Sequence, residues 1–392
     1  MADRARNGPL AGVRVVELGG IGPGPYAGML LADLGASVVR VDRPGEDLRA
    51  THAVLLRGRR SVVLDLKTDL GREAVLRLAE RSDVLLEGYR PGVAERLGLG
   101  PEEALARNPA LVYGRMTGWG QDGPYAELAG HDITYLAVSG VLEAFVGADG
   151  RPVPPLNLLG DFGAGGTMLA LGVVSAVLHA RATGEGQVVD AAIVDGVAST
   201  TAMLQSMVAS GSWGAPRGSN LFDGGAPFYR CYRTSDDRWM AVGSIEPVFY
   251  ARLLEGLGLT AEEVGAEQLD ANAWPRVSRL FETRFATRTR AEWATVFAGL
   301  DACVAPVLSL VEARSDPHLA ARGVYAAGAP AAGHGEDGAR PGQPAAVAVQ
   351  PAAVPVQPAA APRFSVTTAS AGDPAEAPGR HTQEVLAELG LG

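Results

Sequence analysis

Short apolar runs alternate with helical patterns along the first 125 residues of the chain. The runs that predict strands lie at 13–18, 37–42, 61–66, 84–87 and 111–116. One helical pattern ends at Leu34 and another covers 71–81. Strands separated by helices of about ten residues are typical of βαβ units, whose crossovers form a parallel sheet. The pattern therefore predicts a Rossmann-like α/β domain, the large domain, over 1–215.

A second pattern begins near residue 220 and predicts a small α+β domain over 220–318. Two apolar runs, 228–234 and 239–243, flank a polar turn, as in a β-hairpin. Helical patterns follow. The clearest begins at Thr289, where Glu292 three residues later completes a capping-box sequence.

The C-terminal segment, 319–392, is expected to return to the large domain. Within it, residues 326–361 are dominated by Ala, Pro and Gly. Such a composition buries little apolar surface, so we expect a linker that wraps the surface or is partly disordered. Residues 382–389 predict a short helix.

Composition and charge narrow the function classes. Hydrophobic residues make up 47% of the chain and charged residues 20%, which is ordinary for a globular protein. The formal net charge of −10, without a basic run, argues against a nucleic-acid partner. Cys231 and Cys303 lie far apart, so we expect neither a disulfide framework nor a metal site.

No segment is expected to enter a membrane. The apolar stretch 167–180 contains glycine and is shorter than the roughly 20 residues that a span requires, so it predicts a buried helix. The residues before Leu10 lack the apolar region of a signal peptide. The chain ends in Gly390-Leu391-Gly392, which is not a peroxisomal signal. These features predict a cytoplasmic protein.

A glycine-rich turn at 19–25 follows the first strand and partly matches a dinucleotide-binding fingerprint. Asp42 lies 20 residues beyond Gly22, where that fingerprint places a ribose-binding acid. However, the glycine register does not fit, and Pro23 and Pro25 remove two backbone N–H donors. A tight strand-to-helix turn explains the glycines equally well, and a nicotinamide-dependent dehydrogenase is the alternative.

Asp161 stands at the glycine-rich entry to the apolar helix, within 156–166. The helix dipole favours its ionised form, whereas apolar neighbours raise its pKa. Glycines on both sides allow a bulky ligand to approach the backbone. Asp161 is therefore either a helix N-cap or a functional carboxylate.

His131 follows Gly130 and precedes Asp132 in a polar, loop-like context. An imidazole takes or gives a proton at neutral pH and needs an acid to fix its tautomer. Glu246, immediately before Pro247, is a candidate for that acid, with helix capping as the alternative. The sequence does not show that these residues meet in space.

Motifs along the chain up to about residue 325 resemble those of the alpha-methylacyl-CoA racemases, within the family III CoA-transferase superfamily. The matching segments are 15–18, 41–44, 87–92, 96–100, 118–121 and 223–227, with the segments around His131, Asp161 and Glu246. So many matches in the same order make chance agreement implausible.

The resemblance implies racemisation at the carbon beside a CoA thioester. His131 and Asp161 would be acid/base groups on opposite faces of that carbon, with Glu246 paired to His131. Asp132, counted among the catalytic residues, and Tyr135 would line the site beside the thioester. We expect backbone N–H groups near Asp161 to stabilise the enolate-like intermediate. The resemblance also implies an interlocked homodimer in which a small domain completes the partner's active site.

The acyl-CoA thioester is the substrate, and no separate cofactor is implied. The resemblance assigns the following residues to the CoA moiety: Arg43, Leu64, Asp65, Leu66, Gly88, Tyr89, Arg90, Arg96, Gly130 and Tyr135. Arginine suits this role because its planar fork binds phosphate and stacks on aromatic rings.

Two rival functions stay open on the sequence. A CoA transferase of the same superfamily would use Asp161 as a nucleophile that forms acyl-enzyme anhydrides. A protein without catalysis would only bind acyl-CoA. His131 and Glu246 favour the racemase, because proton exchange requires them and transfer does not. Branched fatty acyl, bile-acid-like and smaller acyl groups all fit the sequence.

Overall fold

The computed structural model of this chain describes residues 7–147, 150–214, 216–327 and 356–392. Its strands are β1 (Arg14–Leu18), β2 (Ser37–Asp42), β3 (Arg59–Val63), β4 (Val84–Glu87), β5 (Val112–Thr117), β6 (Gln187–Ala192), β7 (Tyr229–Arg233), β8 (Trp239–Gly243), β9 (Val304–Pro306), β10 (Tyr325–Ala327) and β11 (Val356–Pro358). Its α-helices are α1 (Pro23–Asp33), α2 (Arg49–His52), α3 (Asp69–Glu80), α4 (Val93–Arg96), α5 (Pro101–Arg107), α6 (Asp132–Val138), α7 (Val141–Ala144), α8 (Thr167–Thr183), α9 (Ile193–Thr200), α10 (Ala202–Ala209), α11 (Pro247–Leu257), α12 (Ala261–Val264), α13 (Trp274–Phe285), α14 (Arg290–Phe297), α15 (Pro317–Ala321) and α16 (Thr382–Glu388). A π-helix, Leu158–Gly166, runs directly into α8, and a 3₁₀ helix covers Glu312–Ser315. Most of the predicted linker 326–361 lies outside the described residues.

Compact packing divides the chain into two units. The first contains the chain up to Tyr135, Leu156–Ala198, and the chain from Arg314 onward; the second contains Leu136–Pro155 and Ser199–Ala313. The predicted boundaries differ, because 136–155 and 199–215 were placed in the large domain and 314–318 in the small one. An apolar pattern predicts that a segment such as α10 is helical, but not which body it packs against.

A six-stranded parallel sheet forms the centre of the first unit, in the order β3-β2-β1-β4-β5-β6. Each neighbouring pair of strands is parallel. This is the doubly wound order of Rossmann-type folds, so the predicted fold class is confirmed. All four residues of β4 are buried, which explains its continuous apolar run, since a parallel sheet is covered on both faces.

Two strands differ from the prediction. The third strand begins at Arg59, two residues earlier than expected, and ends at Val63. The strand begins with two arginines, so the apolar pattern of the sequence does not show where it starts. Arg59 is nevertheless buried against Glu17. The sixth strand, β6, was not predicted. Four of its six residues are exposed or half-buried, so it lacks the apolar run of an inner strand.

The second unit has an antiparallel sheet, β7-β8-β9, packed on helices. The predicted hairpin is confirmed, with Tyr229 opposite Gly243 in its register. The capping box at Thr289 is also present, with both reciprocal hydrogen bonds to Glu292. An aromatic cluster fills the core, and within it the rings of Tyr232 and Phe285 stack at 4.9 Å.

The end of the chain packs on the first unit. Val385 and Leu386 of α16, and Leu389 directly after it, belong to the core of the parallel sheet. The Thr382 hydroxyl accepts a hydrogen bond from the backbone N–H of Val63 (3.0 Å). This contact occupies a donor on the open edge of β3, which would otherwise be free to pair with another strand.

The apolar helix is longer than predicted. The π-helix and α8 form 26 continuous residues, Leu158–Thr183, which by length and composition alone could cross a membrane. The expectation that this stretch is too short was therefore wrong. Only 44% of its most apolar window is buried within the chain. The helix packs on α1, β5 and β6, and a core helix of a globular protein passes the same test.

A buried charge cluster ties together the first three strands of the sheet. Glu17 on β1 accepts hydrogen bonds from Arg40 on β2 (2.5 Å) and Arg59 on β3 (3.0 Å). Arg40 also donates to Asp42 (2.7 Å). Glu17 is 1% exposed, so its charge is stabilised by these arginines rather than by water. Gly28 on α1 is required beside it, since a Cβ there would lie 2.2 Å from the Glu17 carboxylate.

Replacing Glu17→Gln should lower the free energy of unfolding by about 3–5 kcal/mol, because it leaves two buried arginines without their shared countercharge. Urea denaturation followed by far-UV circular dichroism measures the loss. The matched control is Glu73→Gln. Glu73 also pairs with two arginines, Arg77 and Arg107, but at the surface. Equal losses for the two variants would contradict the role given to the buried cluster.

Candidate active site

A cleft of about 420 Å³ lies in the first unit at the carboxyl edge of the parallel sheet. Its wall includes Leu18 at the end of β1, Glu87 at the end of β4, and Met116 near the end of β5. The strand order reverses between β1 and β4, so the loops that follow these strands diverge and leave a crevice. Open α/β sheets bind their ligands at this position.

The cleft brings together the central residues predicted from the sequence. Its wall contains Gly88, Tyr89, Arg90, Gly130, His131, Tyr135 and Asp161. His131 is exposed and Asp161 is half-buried. The two lie close enough for the charge of His131 to lower the pKa of Asp161, although burial raises that pKa overall. A proton donor and a proton acceptor therefore share one cleft.

Asp161 lies inside a helix and is not an N-cap. The helix begins at Leu158, its N-cap is Asn157, and Asp161 occupies the π-helical part. Single π-helical turns are rare and are found frequently at functional sites. The side-chain amide of Asn157 lies 3.4 Å from the Asp161 carboxylate. The capping explanation of Asp161 is therefore wrong.

Asp132 holds the backbone of Asp161. Its carboxylate accepts a hydrogen bond from the Asp161 N–H (2.7 Å) and is almost completely buried, which raises its pKa. Asp132 does not belong to the cleft wall, contrary to the expectation that it lines the site. The Asp161 N–H is already occupied by this bond, so it does not donate to an enolate, and stabilisation by the other backbone N–H groups of the glycine-rich loop stays a prediction. A catalytic role for Asp132 stays a prediction.

Tyr135 forms a buried aromatic wall next to His131. Its ring meets the Trp119 ring edge-on at 4.8 Å, and burial raises the pKa of its hydroxyl. Two glycines make room for the ring. A Cβ at Gly118 or Gly130 would lie 2.0 or 2.4 Å from it.

The other residues assigned to CoA surround the same edge of the sheet. Arg43 follows β2, and its guanidinium lies 5.6 Å from the centre of the Tyr89 ring. Leu64 and Leu66 follow β3 with buried side chains, so only their backbone and the exposed Asp65 face outward. Arg96, the last residue of α4, is exposed. These residues do not line the cleft itself, and their role in CoA binding stays a prediction.

Glu246 belongs to the second unit. It is the N-cap residue of α11, with Pro247 as the first helical residue, but its side chain makes no capping hydrogen bond. Glu246 is exposed. Side-chain capping by Glu246 is therefore wrong, while complementation of the helix dipole by its carboxylate and its pairing with His131 stay predictions.

The structure also explains the partial dinucleotide motif. Asp42 is bound to Arg40 and lies 3.3 Å from the Ser61 hydroxyl, so its carboxylate is not available to a ribose. Gly22 adopts φ +71°, and a Cβ there would lie 3.5 Å from the Asp161 carboxylate. The left-handed backbone of Gly22, which glycine adopts without strain, therefore accounts for a glycine at this strand-to-helix turn beside Asp161. Among the described residues, no cluster of His, Cys, Asp and Glu could hold a metal ion.

Comparison with known proteins agrees with the resemblance seen in the motifs. The family model described as CoA-transferase family III matches residues 10–364. This chain belongs to the CoA-transferase family III. Alpha-methylacyl-CoA racemase of Mus musculus is 50% identical over 309 residues, covering 79% of this chain and 80% of the mouse protein. Alpha-methylacyl-CoA racemase of Homo sapiens is 50% identical over 316 residues, covering 81% and 82%.

A solved family III structure has the same fold. The crystal structure of a CaiB/BaiF family protein from Brucella suis has a TM-score of 0.78 and 27% identity, and the match covers 98% of this chain and 100% of that one. The family and fold expected from the motifs are thus confirmed.

Sequence reasoning did not single out three side chains of this family III cleft. Asn157 was passed over, although an amide four residues before an acid on a helix is a recognisable signal. Trp119 was noted only as part of a matching segment, and its contact with Tyr135 depends on the fold. Glu87 was noted only for its backbone, yet its buried carboxylate binds the Tyr89 N–H (2.6 Å).

Replacing Gly118→Ala should lower the free energy of unfolding by about 1–3 kcal/mol, because the new methyl group overlaps the buried Tyr135 ring. Chemical denaturation measures the change. Gly20→Ala is the control, since a Cβ at Gly20 meets nothing within 4 Å. If both variants are as stable as the parent protein, Tyr135 is not confined as the structure indicates.

Proposed function

We propose that this protein is a 2-methylacyl-CoA racemase, an isomerase that inverts the α-carbon of an acyl-CoA thioester by two-base proton transfer. The observation that carries the proposal is the presence of His131 and Asp161 in one cleft at the switch point of the sheet. The 50% identity to mouse and human proteins named alpha-methylacyl-CoA racemase supports it. A CoA transferase would need the Asp161 carboxylate but not the imidazole beside it.

The mechanism requires two groups of balanced basicity. One takes the α-proton from its face of the substrate, and the other returns a proton to the opposite face. Burial raises the pKa of Asp161 towards that of an imidazole, because the desolvated carboxylate holds a proton more tightly. The same aspartate can then act as a base for one enantiomer and, once protonated, as an acid for the other. Glu246 would fix the tautomer of His131.

The CoA moiety would lie along the carboxyl edge of the sheet. Arg43 follows β2, Arg90 follows β4, and Arg96 ends α4, so three cations border one edge of a chain with net charge −10. Local arginines are necessary because the overall charge repels an anionic ligand. The exposed backbone at Asp65 and Gly88 would accommodate the nucleotide part.

We also propose a homodimer. On α8, Met168, Leu171 and Leu178 follow one another at spacings of three and seven residues on one outward face, and Leu171 and Leu178 are 60% and 66% exposed. The neighbouring strand β6 is an edge strand with an exposed valine, Val188. An exposed apolar face beside an open sheet edge is typical of an interface, and a second copy of the chain would bury this one.

We propose that this activity belongs to lipid metabolism, because its substrate is an acyl-CoA, and that the protein is cytoplasmic, as expected from the sequence. Cell fractionation tests the location. Turnover of a series of branched acyl-CoA esters of increasing length identifies the preferred acyl group.

The reaction is tested by proton NMR of a 2-methylacyl-CoA in D₂O. Loss of the α-proton signal and collapse of the methyl doublet, without an acyl acceptor, are expected. His131→Ala and Asp161→Asn should each reduce racemisation at least 100-fold, since each removes one base. Each variant should still exchange the α-proton of one enantiomer, and the two variants should retain opposite enantiomers.

Full racemisation by His131→Ala would rule out the two-base mechanism. Absence of exchange in the parent protein, together with acyl transfer to an added carboxylate that Asp161→Asn abolishes, would establish the transferase instead. Glu246→Gln should weaken only the half-reaction in which His131 is the base.

Sedimentation velocity tests the dimer. Leu178→Glu should convert the dimer into a monomer, because it places a charge in a buried apolar contact. Leu70→Glu is the control, since Leu70 is an exposed leucine of α3 outside that face. A parent protein that is monomeric, or a dimer that Leu178→Glu does not weaken, would contradict this interface.

A further inference from the structure

A second buried charge network lies on the other side of the cleft. Glu87 closes β4 and is 2% exposed. One of its oxygens accepts a hydrogen bond from the backbone N–H of Tyr89 (2.6 Å), and the other accepts one from Arg115 on β5 (3.0 Å). Arg115 also pairs with Glu95 on α4 (2.9 Å). The arginine thus links the strand before the loop 88–92 to the helix after it.

Each arginine assigned to CoA contacts, or is adjacent in sequence to, a residue that this network holds. Arg90 follows Tyr89, whose backbone Glu87 holds. Arg43 stacks on the Tyr89 ring. Arg96 follows Glu95, which Arg115 holds. Arg43, Arg90 and Arg96 are exposed, whereas Glu87 and Arg115 are buried, so these two residues set the positions of the cations without being available to phosphate themselves.

Stability alone does not account for a buried glutamate here. Burial raises the pKa of Glu87 to about 7, although the Tyr89 N–H and Arg115 lower it. A carboxyl whose pKa is raised on folding stabilises the fold at low pH, and that contribution is lost as pH rises through about 7. Near neutral pH, a protein with two apolar residues in place of Glu87 and Arg115 would therefore be at least as stable as the parent protein.

We propose that Glu87 and Arg115 are positioning residues that preset the loop 88–92 with its Arg90, and the neighbouring Arg43 and Arg96, for CoA. The inference rests on the CoA site of the proposed function, but not on proton exchange. Ionised Glu87 holds the Tyr89 N–H and Arg115 with charge-assisted hydrogen bonds, which are stronger than neutral ones. Besides Arg115 and Glu95, the titratable groups that face Glu87 in the described part of the chain are Tyr89 and Tyr113, and burial raises the pKa of both hydroxyls above their usual range.

Isothermal titration calorimetry with free CoA tests the proposal between pH 6 and 8. At pH 8, Glu87→Gln should bind CoA about tenfold more weakly than the parent protein, since a charge-assisted hydrogen bond becomes a neutral one. At pH 6, where the parent glutamate is protonated, the two dissociation constants should converge. The ratio of the two constants at each pH cancels the titration of the CoA phosphates.

A purely structural role predicts a different result. Thermal unfolding at pH 8 should show Glu87→Gln to be as stable as the parent protein or more so. Asp33→Asn is the matched control, because it breaks the equally buried Asp33–Arg57 pair. It should lower stability and leave the CoA dissociation constant unchanged. If Glu87→Gln does not fold, Arg115→Lys replaces it, since lysine keeps the charge but cannot span both carboxylates.

The outcomes separate the two proposals. CoA binding that is equal in Glu87→Gln and the parent protein at pH 8 would overturn the positioning role alone. A constant ratio across the pH range would also overturn it. Failure of the parent protein to bind CoA would overturn the proposed function as well. CoA binding without α-proton exchange would contradict the proposed racemase activity but not the positioning role of Glu87 and Arg115.

Discussion

The parallel sheet constrains the rest of this protein, because all six strands end at one edge and every loop that builds the cleft must leave from there. Glu17 fixes that edge on one side. By accepting from Arg40 and Arg59, it ties β1 to β2 and β3. The same arginines reach back to the glycine turn, where Arg40 donates to the carbonyl of Gly20 (3.0 Å) and Arg59 to that of Pro25. The turn is thereby held against the helix that carries Asp161.

The switch point therefore has an ionic network on each side. Glu17 and its arginines hold the turn after β1, and Glu87 with Arg115 holds the loop after β4. In both cases a buried carboxylate at or next to the end of a strand pairs with arginine on a neighbouring strand, and the network extends to loop backbone. Burying such charges costs free energy, which is recovered only when the geometry of every partner is satisfied. The cleft between them is consequently fixed before any ligand arrives.

The properties of Asp161 follow from this rigidity. Its π-helical turn fits because glycines remove the side chains that would otherwise collide. A Cβ at Gly160 would lie 2.5 Å from the Asp132 carboxylate, and one at Gly166 would lie 2.7 Å from the carbonyl of Pro23. Close packing then desolvates the carboxylate and raises its pKa. The shift in the basicity of Asp161 towards that of an imidazole results from packing rather than from any special residue type.

The sequence by itself determined the parallel sheet except for its sixth strand, the hairpin, the family, and the central site residues His131, Tyr135 and Asp161. Strand and capping patterns depend on residues that are close in sequence, and the order of motifs along the chain can be recognised without knowledge of tertiary contacts. It did not determine that Asp132 turns away from the cleft, that Asp42 pairs with Arg40, or that Glu87 anchors a loop. Each of these depends on which side chains meet after strands distant in sequence are placed side by side. The tertiary structure decided them, since burial and partner geometry, not residue type, set the charge and direction of a carboxylate.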